Sequence, residues 1–339
     1  MPGVLISAGF LILDGVWISL LPVLNISYGE TVSTWIPFAV LQIAVLCFCL
    51  VLGWILSFFK HPSFHKIAMG TLITLSLLLL GAGIDGFMIE PFRLTVSRIE
   101  IPVPGLKHPA RIVQLSDIHV ERTTKREREI PELVASLNPD LIVMTGDYPN
   151  ETYVGDDLAG ENLRELVSQL HAPLGIYAVN GNVEEPWMMP LLFKKQDIHI
   201  LNDEVVKIPE LGEHFTLIGM SYVDQTVDEM TLNRLMQQVK PDDFTLLLYH
   251  KPDLAYAARD QGIDLYLTGH THGGQVRLPI IGALYTNSIY GKTFEMGLYH
   301  LDSMTMYVNR GLGMTGGSAP RVRFLAPPEV VVIDLVPLD

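Results

Sequence analysis

Groups of histidine, aspartate and asparagine residues follow short apolar segments at several points of this 339-residue chain. Asp117 and His119 come directly after the segment that ends at Leu115, and two residues apart in an extended chain they point the same way. Nitrogen and oxygen ligands without thiolate suit Mn, Fe, Zn, Ni or Co better than Ca or Mg, which prefer oxygen. Seven residues form this candidate ligand set: Asp117, His119, Asp147, Asn182, His250, His270 and His272.

The size of this set indicates two metal ions. Seven side chains are too many for one ion, and they suffice for two if one carboxylate bridges. Two ions about 3.5–4 Å apart can hold a bridging hydroxide and clamp a phosphoryl group for in-line attack. Any one of the histidines alone is more simply an ordinary hydrogen-bonded side chain, so the prediction depends on their joint occurrence at the ends of predicted strands.

The apolar segments that precede these groups are short and bounded by turn or polar residues, which predicts strands. Several alternate with amphipathic helical stretches, so we expect an α/β layered fold whose ligands collect outside the carboxyl ends of the strands. Pro102, Pro104 and Pro109 indicate a stiff stretch before the first core strand. The predicted strands are 112–115, 141–145, 176–179, 215–219, 245–249, 264–268, 304–309 and 329–335, and the predicted helices are 126–137, 158–170, 229–239 and 254–259.

The first 90 residues are much more apolar than the rest. The whole chain is 49% hydrophobic and 18% charged, with a mean hydropathy of +0.31, yet its first 90 residues hold only 2 of 23 basic and 4 of 37 acidic residues. About 20 apolar residues span the hydrocarbon core of a bilayer as a helix. We therefore expect a membrane domain over residues 1–90, with transmembrane helices at about 4–24, 35–59 and 67–84, and a globular domain over 91–339. A signal peptide fits the first run poorly, because no basic residues precede it and two more runs follow.

Basic residues predict the orientation of these helices. Lys60 and Lys66 lie between the second and third runs, and the positive-inside rule places such a connection in the cytoplasm, although Arg93 and Arg98 favour the reverse. We therefore expect an integral protein of the bacterial cytoplasmic membrane with an extracytoplasmic catalytic domain. Asp14 lies inside the first run, where it forms either a helix contact or part of a transport path.

Composition also excludes several classes of protein. The net charge of −14 argues against nucleic acid as the main partner, because two polyanions repel each other. Two cysteines, both inside an apolar run, exclude a disulfide-stapled mini-domain. The high apolar fraction excludes a disordered chain.

The order of the polar motifs resembles the calcineurin-like metallophosphoesterases over about residues 93–339. Three further stretches, 269–279 (GHTHGGQVRLP), 309–313 (NRGLG) and 327–330 (PPEV), are similar to a branch of small bacterial phosphodiesterases with membrane or export segments. That branch includes a UDP-2,3-diacylglucosamine pyrophosphatase of lipid A synthesis. The resemblance implies a four-layer αββα sandwich. It also implies a membrane-anchored enzyme that hydrolyses a phosphodiester or a diphosphate, including lipid-linked substrates. Such an enzyme would bind two divalent metal ions, for which manganese is the first expectation.

The resemblance also implies roles for the candidate residues. One ion would be held by Asp117, His119 and His272, and the other by Asn182, His250 and His270. Asp147 would bridge both ions, and a hydroxide between them would attack phosphorus. Asp147, Asn182 and His270 are the expected catalytic residues. Arg277 and Arg310 are candidates for substrate binding, since guanidinium groups grip phosphate with two hydrogen bonds.

One position departs from the pattern of the family. The family usually has histidine where this chain has Val183, between Asn182 and Glu184. That histidine can protonate the leaving group, and such help is worth about 10²–10⁴-fold. We expect weak activity on poor leaving groups such as alkyl phosphomonoesters, unless His171 or His300 substitutes. The alternative function is a metal-binding pseudo-enzyme that holds protein partners.

Overall fold

A computed structural model describes residues 2–29, 31–58, 63–317 and 320–338 of the chain. The chain divides into two compact units. The first contains Met1–Ile89 and a later segment, Gly316–Val322, and the second contains Glu90–Thr315 and Arg323–Asp339. The division into domains at residues 1–90 and 91–339 stays a prediction, and the later segment groups with the N-terminal helices by its contacts.

Three long apolar helices dominate the first unit: α1 (Pro2–Leu20), α2 (Thr31–Phe58) and α3 (Phe64–Ile84). All three are long and apolar enough to cross a membrane, with the third candidate span extending to Phe92. Helix α1 ends four residues before the apolar run does, because Pro22 disfavours helical backbone at the residue that precedes it. Phe59, the predicted end of the second span, and Lys60, on which the orientation depends, lie outside the described residues.

Buried polar side chains join the helices of this unit. The Trp17 indole donates to the carboxylate of Asp14 at 3.1 Å, and Gln42 of α2 donates to Ser76 of α3 at 2.6 Å. Polar side chains are costly in an apolar medium unless they find such partners. Asp14 thus has a partner inside its own helix, α1, and its role in the membrane domain stays a prediction.

The second unit contains five helices and fourteen strands. Its helices are short and several begin at side-chain caps; for example, Thr124 and Glu127 form a capping box at the start of α4. The helices are α4 (Lys125–Ser136), α5 (Asp157–Val167), α6 (Met189–Leu192), α7 (Gln225–Met236) and α8 (Ala255–Asp260). The strands are β1 (Thr95–Pro104), β2 (Ala110–Leu115), β3 (Leu141–Thr145), β4 (Ile176–Val179), β5 (His199–Ile200), β6 (Glu204–Lys207), β7 (Phe215–Gly219), β8 (Phe244–Leu248), β9 (Leu265–Thr268), β10 (Arg277–Leu278), β11 (Gly282–Ala283), β12 (Gly297–Leu301), β13 (Met304–Val308) and β14 (Glu329–Leu338).

Two six-stranded mixed sheets form the body of this unit. The first has the order β1-β14-β2-β3-β4-β5, and β2 to β5 are parallel. The second has the order β12-β13-β9-β8-β7-β6, in which β13, β9, β8 and β7 are parallel. A two-stranded hairpin, β10 and β11, stands apart from both sheets.

Three apolar clusters show how the layers stack. One contains residues of both sheets, such as Ile112 and Val143 with Leu217 and Leu246, so the sheets pack face to face. A second joins the first sheet to α4, α5 and α6, and a third joins the second sheet to α7 and α8. This is the expected four-layer αββα arrangement. Strands covered on both faces are apolar throughout, as the LIVMT sequence of β3 illustrates.

Two of the three prolines before the first core strand lie in a strand, whereas Pro109 directly precedes β2. β1 includes Pro102 and Pro104 and pairs only with β14. An edge strand tolerates proline because every second N–H group faces away from its neighbour and needs no partner in the sheet.

Candidate metal centre

The seven candidate ligands follow the carboxyl ends of five parallel strands. Asp117 and His119 follow β2, Asp147 follows β3, and Asn182 follows β4 in the first sheet. In the second sheet His250 follows β8, and the loop after β9 carries both His270 and His272. Because the sheets pack face to face, loops from one edge of each meet, and six of the seven side chains come together in two buried triads.

The first triad is formed by Asp117, His119 and His272. Nε2 of His272 lies 3.3 Å from Oδ1 of Asp117 and 3.1 Å from Nε2 of His119. All three side chains are buried. Their ligand atoms lie within 4.8 Å of one another, which is the spacing of atoms around one metal ion.

The second triad is formed by Asp147, His250 and His270. Nε2 of His250 lies 3.4 Å from Oδ2 of Asp147 and 3.2 Å from Nδ1 of His270. Asn182 joins this group, with its Oδ1 at 3.1 Å from Nε2 of His250. Asn182 is the exposed member of the set, so the pair of triads is open to solvent on its side.

One oxygen atom connects the two triads. Oδ2 of Asp147 lies 3.5 Å from Nε2 of His119 and 3.4 Å from Nε2 of His250. The other oxygen, Oδ1, accepts a hydrogen bond from the N–H of Val183 at 3.0 Å, which fixes the carboxylate between the two groups.

Burial and charge fix the protonation of these side chains. Burial lowers the pKa of His119 to about 4 and lowers the pKa of His270 and His272 well below the usual value, so these rings are neutral near pH 7. For His250 burial acts in the same direction, but the Asp147 carboxylate outweighs it and raises the pKa to about 9. Burial likewise opposes the charge of Asp147, yet His250 and its neighbours hold the pKa of Asp147 well below its usual range.

The donor set fits divalent cations. The neutral imidazoles of His119 and His272 face each other at 3.1 Å beside the Asp117 carboxylate, and their Nε2 atoms are ready to donate lone pairs to a positive ion. In addition, Nδ1 of His119 is buried without a hydrogen-bond partner among the described residues. The arrangement is consistent with a dinuclear metal site, and nitrogen ligands favour transition metals over Ca or Mg.

Outer hydrogen bonds orient the ligands. Nδ1 of His250 lies 2.6 Å from the carbonyl of Thr145, which leaves Nε2 free as a ligand atom. For His270 the ring is reversed: Nε2 lies 2.6 Å from the carbonyl of Asn287, so Nδ1 faces the site. Asp117 accepts from the Ser116 hydroxyl and from the N–H of His270. Such partners fix the tautomer and orientation of metal-binding side chains.

Glu184 is a site residue to which the sequence assigned no role. It is buried, and its carboxylate accepts hydrogen bonds from the backbone N–H groups of Asp147, Tyr148 and Gly181. It thereby joins the loop after β3 to the loop after β4. A position two residues after a ligand is a weak signal in sequence, because a solvated glutamate in a turn looks the same.

Five of the seven candidate ligands have left-handed backbone, with φ between 45° and 69°. Non-glycine residues rarely adopt this conformation, and each case costs on the order of 1–3 kcal/mol. The surrounding contacts must over-determine it, as they do here through the outer hydrogen bonds. The five are Asp117, His119, Asp147, His270 and His272.

Two glycines allow the loops of the first sheet to meet. A Cβ atom at Gly181 would lie 2.0 Å from Oδ1 of Asp147, and one at Gly146 would lie 2.5 Å from the backbone of Gly181. Gly146 also has a φ of 92°. No side chain fits at either position without displacing Asp147 or its loop.

The two arginines predicted to bind substrate form ion pairs within the protein. Arg277 contacts Glu295 at 2.7 Å and donates to the carbonyl of Gly273, whereas Arg310 contacts Glu329 at 2.9 Å. Gly273 adjoins His272, so Arg277 borders the ligand loop. A role for either arginine in binding phosphate stays a prediction.

Neither histidine considered as a substitute at Val183 lies at the ligand edge. His171 precedes β4, at the opposite end of that strand from Asn182. His300 pairs with Thr305 in the amino-terminal half of β13, away from its carboxyl end. Val183 therefore stands beside Asp147 with no imidazole from these two residues in its place.

Comparison with known proteins gives consistent matches. The family of calcineurin-like phosphoesterases matches residues 110–274. The chain is 33% identical over 273 residues to the uncharacterized metallophosphoesterase YkuE of Bacillus subtilis, an alignment that covers 74% of this chain and 87% of that protein. It is 27% identical over 308 residues to the UDP-2,3-diacylglucosamine pyrophosphatase LpxG of Chlamydia trachomatis, covering 72% of this chain and 90% of LpxG. It is also 27% identical over 242 residues to the phosphodiesterase YaeI of Escherichia coli, covering 67% and 83%.

Proposed function

This chain belongs to the calcineurin-like phosphoesterase family, and from that premise we propose that it is a membrane-anchored enzyme that hydrolyses a lipid-linked phosphodiester or diphosphate. The position of Asp147 carries the proposal, because one carboxylate oxygen faces a histidine of each buried triad. A single ion would not need such an atom, whereas two ions need a shared ligand. Membership of the family indicates that the reaction is the hydrolysis of a phosphate ester. The membrane location and the lipid-linked substrate are our proposal.

The residues divide between two metal positions. Asp117, His119 and His272 would hold one ion, and Asn182, His250 and His270 would hold the other, with Asp147 shared. Bound manganese, or a similar divalent ion, would supply a hydroxide nucleophile at neutral pH and neutralise the charge that develops on the phosphoryl oxygens. Burial keeps the imidazoles of His119, His270 and His272 neutral, and the neighbours of Asp147 hold its carboxylate ionised, whereas His250 would lose a proton on binding a metal ion.

Val183 favours a substrate with a good leaving group. Its side chain cannot donate a proton to a departing oxygen, and neither His171 nor His300 lies at the ligand edge. The phosphate of a diphosphate leaves with less protonation than an alkoxide needs. UDP-2,3-diacylglucosamine, the compound in the name of the chlamydial relative, combines a diphosphate with acyl chains and is the first substrate of this class to test.

The three apolar helices support the membrane part of the proposal. An enzyme tethered at the bilayer meets substrates that the bilayer holds, which raises their effective concentration at the site. We place the chain in the bacterial cytoplasmic membrane, with its second unit on the extracytoplasmic side, on the basis of the lysine bias. A nucleotide-linked lipid precursor made in the cytoplasm requires the second unit to lie on the cytoplasmic side instead. Chemical labelling of a cysteine introduced into the second unit, from one side of the membrane, decides between this substrate and the extracytoplasmic orientation.

The decisive experiment measures metal content and hydrolysis on the full-length protein, purified without chelator. We expect close to two ions per chain and turnover of an aryl phosphodiester that increases with added manganese. Asp147→Ala should abolish turnover and lower the metal content, whereas Asp242→Ala, an exposed aspartate in a turn, should change neither. Bound metal without turnover of any activated ester would favour the pseudo-enzyme scaffold. Absence of metal would contradict the proposed ligand set.

A further inference from the structure

An exposed apolar surface of the second unit lies next to the metal centre. The segment from Leu278 to Gly291, here called the apolar loop, contains β10's last residue, β11 and the turn that follows. No charged residue occurs in these 14 positions, although 33 acidic and 21 basic residues lie beyond residue 90. Six of its large side chains are exposed: Leu278, Ile280, Ile281, Leu284, Tyr285 and Ile289.

The base of this loop is attached directly to the ligands. The carbonyl of Asn287 contacts Nε2 of His270 at 2.6 Å, and the Ser288 hydroxyl donates to Asp253 at 2.6 Å. On the other side, Arg277 donates to the carbonyl of Gly273, beside His272. The loop is therefore fixed at its base while its apolar side chains project from the protein.

The tip of the loop is suited to an apolar environment. Ile280 is fully exposed, at 108%, and its φ of 71° is unusual for a β-branched residue. Pro279 has no N–H group, and the carbonyl of Ile281 accepts a hydrogen bond from Lys292. The pairing of β10 with β11 and this hydrogen bond satisfy part of the backbone around the tip, which lowers the cost of its entry into lipid. Tyr285, 71% exposed, adds a ring with a polar end of the kind that favours the membrane interface.

We propose that the apolar loop inserts its tip, centred on Ile280 and Ile281, into the surface of the lipid bilayer and so holds the metal centre at the level of the lipid headgroups. Exposed apolar patches of this kind mark contact with an apolar partner, and the three apolar helices make a bilayer the partner that is always present. The inference rests on the membrane part of the proposed function. It adds that the substrate's phosphate is reached at the bilayer surface rather than in free solution.

Depth-dependent fluorescence quenching tests the insertion without requiring turnover. Full-length protein carrying Cys47→Ser and Cys49→Ala is given a single new cysteine by Ile280→Cys, labelled with an environment-sensitive fluorophore and reconstituted into phosphatidylcholine nanodiscs. A matched protein carries Met230→Cys, at an exposed apolar position of 68% on α7, a helix that contributes no ligand. We expect phosphatidylcholine with a spin label on its acyl chains to quench the label at 280 and to leave the label at 230 unchanged.

A charged substitution at the tip tests whether the apolar side chains are the cause of the insertion. In the Ile280→Cys protein, Ile281→Asp should abolish the quenching, because a charge resists transfer into the apolar layer. Equal quenching at 280 and 230, or quenching that persists with Ile281→Asp, would overturn the proposal. An unchanged circular dichroism spectrum shows that each variant is folded. Because quenching does not depend on hydrolysis, its failure leaves the phosphoesterase assignment intact, and loss of metal binding in the wild-type protein leaves the insertion test intact.

Discussion

The backbone N–H of Asp147 donates a hydrogen bond to Oε2 of Glu184 at 3.2 Å. The same oxygen accepts from Gly181 at 2.8 Å, so one buried carboxylate holds both the residue shared by the two triads and the loop that carries Asn182. Glu184 touches no ligand atom itself. Its effect on a metal ion passes through the backbone positions of its neighbours.

Glu184→Gln should therefore weaken metal binding without removing a ligand. The amide keeps the shape of the side chain but replaces one acceptor oxygen with a donor, which opposes the N–H groups of Asp147 or Gly181. Loss of an outer partner of this kind typically lowers metal affinity about 10–100-fold. Metal titration of the apo protein measures the effect. Glu185→Gln, at the exposed neighbouring position, should leave the affinity unchanged; equal affinity in both variants would contradict the positioning role.

Gly181→Ala should nearly abolish both metal binding and hydrolysis. The added methyl group would lie 2.0 Å from Oδ1 of Asp147, so the shared carboxylate must move. A displacement of about 1 Å in a catalytic group can cost about 10²-fold in rate. Gly155→Ala is the matched control, because a Cβ atom there meets nothing within 4 Å and the backbone has ordinary φ. Steady-state kinetics and metal content are compared for the two variants, and full activity in the Gly181 variant would show that the loop is not constrained as described.

Val183→His should raise activity on alkyl phosphomonoesters. An imidazole at this position adjoins Asp147 and can protonate a departing alkoxide, for which general acid help begins at about 10²-fold. Turnover of an aryl diester, whose leaving group needs little protonation, should change much less. The ratio of the two rates is the measurement, with Val183→Asn as a polar control that lacks a titratable ring. A constant ratio in the histidine variant would mean that the leaving group is protonated by water.

Asp243 should make stability depend on pH in the acid range. Burial raises its pKa, but hydrogen bonds from Lys207, the N–H of Lys240 and His214 outweigh burial and lower the pKa to about 2. The group is therefore charged in the folded protein at pH values where the unfolded chain, with a pKa near 4, takes up a proton. Its stabilisation is fully present above pH 4 and is lost as the pH falls through 2.

The measurement for Asp243 is the midpoint of thermal unfolding. Asp243→Asn should lower the midpoint by a few degrees at pH 7, and the difference from the wild type should shrink between pH 4 and pH 2. Asp242→Asn, at the exposed neighbouring position, should give no such pH-dependent difference. A constant difference down to pH 2 would show that the charge of Asp243 is not responsible.

The strand ends were the most predictable part of the structure. β3, β4 and β7 begin and end where the apolar runs of the sequence do, because these strands are covered on both faces and are almost entirely apolar. The ligands could be found for the same reason: Asp117, Asp147 and His250 each come directly after such a run. The ligand role of each residue is a proposal that the metal measurements above test.

Long-range features could not be read from the sequence in the same way. The short or edge strands β1, β5, β6, β10 and β11 have too few apolar residues, or contain proline, and depend on a neighbouring strand. Glu184 contacts a loop 36 residues earlier, and its neighbours in the sequence do not reveal that contact. The apolar loop was not predicted beyond residue 279, where the family-like stretch ends, because exposure is a property of the folded surface and not of the residue types.

The path of the chain near its C-terminus limits how the protein can be divided. Gly316–Val322 belongs to the helical unit, although it lies between two parts of the phosphoesterase unit. Cutting the chain after residue 90 therefore does not separate the units cleanly, because the released fragment would keep a segment that groups with the removed helices. A soluble version of the enzyme needs a second edit, a short polar linker from Thr315 to Arg323, and a fragment made by N-terminal truncation alone is expected to aggregate through this orphaned segment.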